Sequence, residues 1–125
     1  MKYFTPQQVI QIHYQIVAAT GGLHGIRDVG LLESALARPQ ASFGGQELYP
    51  DIFTKAASLV HSLLLNHMFA DGNKRTATVV MIEFLILNGY KFKAKNKEIV
   101  DFAMWVENSK PTLEEISAWI KKHIS

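Results

Sequence analysis

Nine consecutive residues, His67-Met-Phe-Ala-Asp-Gly-Asn-Lys-Arg75, carry an imidazole, a carboxylate, an amide, an ammonium and a guanidinium around one glycine. A helix is expected to begin near Asn73, so its free N–H groups and the positive end of its dipole would face the same turn and favour an anion. Gly72 would let a ligand approach the backbone. Lys74 and Arg75 add positive charge, Arg75 with a planar fork suited to phosphate oxygens. Asp71 could hold a divalent cation such as magnesium, which binds through one or two carboxylates and the phosphates themselves. His67 could take a proton from an incoming hydroxyl, because imidazoles in general titrate close to neutrality. A metal-bound nucleotide would use every polar group in the segment.

Each residue also has a plainer reading. A histidine on an apolar helix stripe, such as His13 or His61, is usually a hydrogen-bonded core residue. Asp71 and Asn73 could serve only as caps, and Lys74 and Arg75 as a solvated first turn, although cations at a helix N-terminus oppose the dipole unless an anion is present. The lysines of residues 91–97 read as a solvated edge rather than a nucleic-acid surface. The four methionines and the C-terminal aromatics read as core.

The elements that must position this segment follow from periodicity. Thr5-Pro6 opens a helix over about residues 6–19, which Gly21-Gly22 stops. Asp28 caps a second helix through Leu31, Leu32, Ala35 and Leu36, interrupted by Pro39. Residues 41–50, with Gly44-Gly45 and Tyr49-Pro50, read as a surface loop and a possible flap. From Asp51 the stripe Ile52, Phe53, Ala56, Val60, Leu63, Leu64 predicts a long helix, with His67 emerging at its C-terminal end on the core side and Asp71 one turn further on if the helix persists. Asn73 is the expected cap of a helix running to Asn88-Gly89. Only Glu83 is polar between Val79 and Leu87, so this helix is expected to be the central one. Residues 90–97 alternate and suggest a short exposed strand or extended connector. Two further helices are expected over residues 97–108 and 112–123. The fold class is therefore all-α: a compact bundle of six helices, with the motif loop between two central ones and residues 1–125 forming a single domain.

Composition narrows the function classes. The chain has 125 residues, 48% hydrophobic and 19% charged, with a formal net charge of +2. That is ordinary globular composition, and too mild a charge to imply direct nucleic-acid binding. With no cysteine, disulfides and thiolate metal sites are excluded. The longest apolar stretch, residues 77–87, is too short to span a bilayer. Residues 1–6 lack the apolar run of a secretory signal, so a cytoplasmic location and no membrane association are expected.

The segment His67-Met-Phe-Ala-Asp-Gly-Asn-Lys-Arg-Thr76 resembles the signature of the Fic/Doc family, whose fuller form reads His-x-Phe-x-[Asp/Glu]-Gly-Asn-Gly-Arg-x-x-Arg. Lys74 stands at the second motif glycine and Thr78 at the last arginine. Asn-Lys-Arg is the form of the Doc, or death-on-curing, branch. Residues 21–28, Gly-Gly-Leu-His-Gly-Ile-Arg-Asp, and residues 30–40, with the order of helices, extend the resemblance over nearly the whole chain.

The resemblance implies a six-helix Fic fold and a toxin of a toxin-antitoxin system. Its activity would be that of a magnesium- and ATP-dependent kinase, a phosphotransferase that phosphorylates a threonine of elongation factor Tu and halts translation. His67 would be the base, Asp71 the magnesium ligand, and Gly72, Asn73, Lys74 and Arg75 the phosphate-binding group. Residues 41–50 would occupy the place of the family's flap. The self-inhibitory pattern [Ser/Thr]-x-x-x-Glu-[Gly/Asn] is not found in the sequence, so inhibition would come from a Phd-like antitoxin. Two rival functions are AMP transfer to a protein hydroxyl and a non-catalytic nucleotide- or protein-binding domain.

Overall fold

The computed structural model describes all residues, 1–125. Six α-helices account for almost all of the regular structure: α1 (Pro6–Thr20), α2 (Val29–Ala37), α3 (Ile52–Leu65), α4 (Asn73–Leu87), α5 (Asn96–Ser109) and α6 (Leu113–Lys122). Local chemistry sets most boundaries. The Thr5 hydroxyl accepts from the N–H of Gln8, whose side chain returns a bond to Thr5, with Pro6 pre-set at the first helical position. Asp28, Asp51 and Thr112 cap α2, α3 and α6 in the same manner, each accepting from the N–H three residues on.

The expected all-α bundle is present, and its hub is α3 rather than α4. Helix α3 packs against α2, α4, α5 and α6. Ala56, Ala57, Ser58 and Ser62 on α3 are buried and small enough to admit neighbours on several sides. On α4, by contrast, Ile86 is 51% exposed and Leu87 39%, so its apolar sequence does not translate into burial all round. A core of 23 buried residues joins the helices, with Leu63, Leu64, Met81, Phe84, Phe102 and Ile116 among its members.

Residues 41–50 are not wholly irregular. They fold back as a two-stranded antiparallel hairpin, β1 (Ser42–Phe43) with β2 (Gln46–Glu47), after a 3-10 turn at Arg38–Gln40. The Gly44-Gly45 turn has positive φ at both residues, the conformation a two-residue hairpin requires. Its foot is tied to α3 by Lys55, which is buried and donates to the Pro39 carbonyl at 2.9 Å and to Glu47 Oε1 at 2.7 Å. Burial alone would lower the Lys55 pKa. The Glu47 carboxylate and the Tyr3 hydroxyl outweigh it and hold the ammonium above its ordinary value.

Residues 90–95 form an extended connector rather than a strand. A single bridge pairs Phe92 with Ile124, the Lys93 N–H donates to His123 O at 2.7 Å, and lysines 91, 93, 95 and 97 are exposed. No helix is long and apolar enough to cross a membrane.

Candidate active site

The loop between α3 and α4 departs from the helical continuation expected of it. Helix α3 ends at Leu65 with Asn66 as its cap, and His67 takes a left-handed backbone conformation, φ 44°. This is a strained state for a non-glycine residue, costing about 1–3 kcal/mol. It turns the chain so that Met68 and Phe69 enter the core, 0% and 1% exposed. The His67 side chain consequently lies outside the core, 53% exposed, not on the core side as its place on the apolar stripe suggested. Asp71 is not one helical turn beyond it, because no helix persists between them.

A segment distant in sequence braces the loop. The N–H groups of Arg27 and Asp28 donate to the Met68 carbonyl at 2.7 and 3.2 Å, and the Ala70 N–H donates to Gly25 O at 3.1 Å. Ile26 and Phe69 form an isolated antiparallel bridge. From α1, the buried ring of His13 stacks on Phe69 at 3.9 Å between centroids, and its Nε2 donates to the Asp71 carbonyl at 2.7 Å.

The helix cap also differs from expectation. Gly72, left-handed with φ 73°, is the N-cap of α4, and Asn73 is the first helical residue. The Asn73 side chain turns back onto the loop: Oδ1 accepts from the Phe69 N–H at 3.0 Å and Nδ2 donates to Phe69 O at 2.9 Å. Both ends of the amide are thereby committed to fixing the turn. Asp71 is oriented by two backbone donors, Gly72 N–H to Oδ1 at 2.9 Å and Leu23 N–H to Oδ2 at 3.3 Å. A Cβ at Gly22 would stand 2.7 Å from Asp71 Oδ2, so a side chain there would push the carboxylate aside.

These constraints gather all six candidate residues around one cavity of about 330 Å³, lined by His67, Ala70, Asp71, Gly72, Asn73, Lys74, Arg75 and Glu107. Its floor is the N-terminus of α4, where the first N–H groups of a helix have no intrahelical acceptor. Lys74, Arg75 and that helix end can receive an anion. Thr78, at the position of the fuller motif's last arginine, is buried and returns its hydroxyl to the carbonyls of Lys74 and Arg75, each 3.1 Å away, so it offers the cavity nothing.

The model of the Fic/DOC family matches residues 3–85. The chain belongs to the Fic/DOC family. Its Asn73-Lys74-Arg75 form puts it on the Doc side. It is 49% identical over 76 residues to "Toxin Doc" of Mycolicibacterium smegmatis, a match covering 61% of this chain and 58% of that protein. It is 34% identical over 89 residues to "Protein kinase doc" of Escherichia phage P1, covering 71% of this chain and 70% of that one. The chain thus matches less than two thirds of the length of the mycobacterial relative.

The family match stops short of α5, and so does the sequence motif, yet α5 supplies a wall of the cavity. Glu107 is 15% exposed, with Oε1 lying 3.8 Å from Lys74 Nζ and Oε2 lying 3.9 Å from His67 Nε2. Sequence reasoning missed it. Its signal is position: on α5, Glu107 follows Ala103 by four residues, which places a carboxylate on the helix's buried face.

Proposed function

We propose that this chain is the toxin of a toxin-antitoxin pair and a magnesium-dependent kinase that passes the γ-phosphate of ATP to a threonine hydroxyl of a translation factor of the elongation factor Tu kind, in the cytoplasm. The observation that carries this reading is the shared cavity: an imidazole, a carboxylate, two cations and a helix N-terminus open on one space. The named relatives, one a toxin and one a protein kinase, support the same reading.

In this reading the N–H groups at Asn73, Lys74 and Arg75, with the Lys74 and Arg75 side chains, bind and orient the phosphates, while Gly72, whose own N–H is held by Asp71 Oδ1, supplies the left-handed cap that presents them. Asn73 contributes through its backbone and through the loop it holds. His67 Nε2 accepts the hydroxyl proton as the threonine oxygen attacks the γ-phosphorus, and the bond from that phosphorus to the bridging oxygen breaks to release ADP. The donor set suits magnesium: no cluster of three metal-ligating side chains is present, and Asp71 offers one carboxylate beside the phosphate site. That is the usual arrangement for a cation completed by phosphates and water rather than caged by protein. Magnesium would be held by Asp71 and would neutralise charge on the phosphates.

An antitoxin needs an apolar surface, and one lies beside the cavity. A groove of about 780 Å³ runs between α1, α4 and α5, lined by Ile12, Ile16, Val79, Ile82 and Ile99, with Arg75 at its margin. An amphipathic antitoxin segment in this groove would reach Arg75 and withdraw it from phosphate.

Intact-mass measurement on elongation factor Tu incubated with the chain, magnesium and ATP tests the reading, with His67→Ala in parallel. The expected gain is on the order of 80 Da, reduced at least about a hundredfold in rate by His67→Ala. A gain the size of AMP would instead assign nucleotidyl transfer. Unchanged transfer by His67→Ala would remove His67 as the base, and absence of any transfer would favour a binding domain.

A further inference from the structure

Glu107 is a carboxylate in an unusual position. Its Oε1 is fully buried and has no hydrogen-bond partner, although Glu107 lines the cavity it shares with His67, Asp71, Lys74 and Arg75. A buried charge without partners is costly unless opposite charge stands close by. The nearest cation is the Lys74 ammonium, 3.8 Å from Oε1, and the His67 imidazole lies 3.9 Å from Oε2. Both distances exceed hydrogen-bond length, so neither group is locked onto the carboxylate. A purely structural buried pair would be expected at about 2.7–2.9 Å with its remaining lone pairs satisfied.

The two ends of this bridge have different needs. Lys74, in the first turn of α4, opposes the helix dipole when no anion is bound, and the carboxylate offsets that cost. A triphosphate at the same helix end carries more negative charge than one carboxylate and competes for the ammonium. Loss of Lys74 would leave Glu107 uncompensated next to Nε2 of His67, the atom that gains a proton during transfer.

We propose that Glu107 is a positioning residue of the motif cavity. Its carboxylate keeps Lys74 partly engaged while the phosphate site is empty. After phosphate draws Lys74 away, it stabilises and orients the imidazolium that His67 becomes. The second half rests on the phosphate-transfer reading; the first does not require catalysis.

The test separates them. Calorimetric titration of the full chain with inorganic tripolyphosphate, without metal, compares wild type with Glu107→Gln, a change of charge but not of shape. Freeing Lys74 should tighten binding by about threefold to tenfold, and Lys74→Met should abolish that gain. In the transfer assay Glu107→Gln should lower kcat by about tenfold without raising KM for ATP. A merely structural loss would weaken binding and rate together. Weaker or unchanged tripolyphosphate binding in Glu107→Gln overturns the hold on Lys74. An unchanged kcat in an active enzyme overturns the role toward His67. A wild type that transfers nothing overturns the kinase reading, while the titration still decides the Lys74 half. If Glu107→Gln does not fold, Glu107→Asp must show the same tighter binding to a smaller extent, and failure to do so overturns the proposal.

Discussion

Nε2 of His13, in the middle of α1, donates to the backbone carbonyl of Asp71 at 2.7 Å, joining two residues 58 positions apart. Because the ring also lies parallel to Phe69, at 8° between planes, His13 fixes both the apolar anchor of the motif loop and the carbonyl next to its carboxylate. His13→Phe keeps a ring for stacking and removes the donor. The variant should lose about 1–3 kcal/mol in denaturant unfolding. It should also lower phosphate transfer, since Asp71 loses its backbone tether. A normal transfer rate in the variant would show that the tether serves stability alone.

The glycines preceding α2 allow a paired comparison. Gly22 and Gly25 both have positive φ, 113° and 129°, so alanine is strained at either. Only at Gly22 would the new Cβ meet Asp71; at Gly25 nothing lies within 4 Å. Gly25→Ala should therefore reduce stability with little change in transfer. Gly22→Ala should reduce stability and also displace the Asp71 carboxylate, raising the magnesium concentration needed for half-maximal transfer. Equal magnesium dependence in the two variants would argue against Asp71 as the metal ligand.

The paired bonds from Asn73 to Phe69 make a third case. Asn73→Ala removes both and leaves the Phe69 N–H and carbonyl, both part-buried, without them. The expected loss is about 1–3 kcal/mol, with faster amide hydrogen exchange at Phe69 and slower transfer. Asn73→Asp retains the acceptor but sets a carboxylate against the Phe69 carbonyl, so it should not rescue. Full rescue by aspartate would show that the amide hydrogens are dispensable.

The helices were legible because their apolar stripes and caps are local: Thr5, Asp28, Asp51 and Thr112 each bond within three residues. The chemistry at residues 67–75 was legible because its residue types are contiguous. The end of α3 was not. His67 continues the 3.6-residue pattern of Ile52, Val60 and Leu63, and what breaks the helix is tertiary: Met68 and Phe69 are drawn into the core and held by Gly25, Arg27 and Asp28. Asn73 looked like a cap because asparagine is a frequent one, but Phe69 offered its amide two bonds and Gly72 could take the left-handed cap. Glu107 was hidden by distance: its spacing from Ala103 puts it on the buried face of α5, but only the tertiary fold brings that face to the motif loop.

The hairpin is anchored by a group whose protonation can be read from its bonding. Arg38 donates through one nitrogen to Tyr49 Oη at 3.1 Å and through another to His61 Nδ1 and Ser62 Oγ, each at 2.9 Å. Accepting from a guanidinium requires His61 Nδ1 to carry no proton. Burial first, and then the Arg38 charge, hold the His61 pKa below its ordinary value of 6.5. The unfolded chain therefore binds the proton more readily than the folded one, and stability falls as pH drops. The contribution from neutral His61 is fully present above that ordinary value and is lost as pH falls through the folded-state value. Glu98 is also depressed, by the Lys95 backbone N–H and by His123, and its contribution lies lower, fading only as pH falls below the ordinary carboxylate range. Thermal melts at about pH 7.5 and about pH 5.5 thus isolate the histidine contribution. Wild type should lose Tm between these conditions, whereas His61→Gln, which keeps an acceptor for Arg38 but cannot titrate, should lose distinctly less. Equal losses in both proteins would mean that Arg38 does not require a neutral His61, and that the hairpin is held through Lys55 and Glu47 instead.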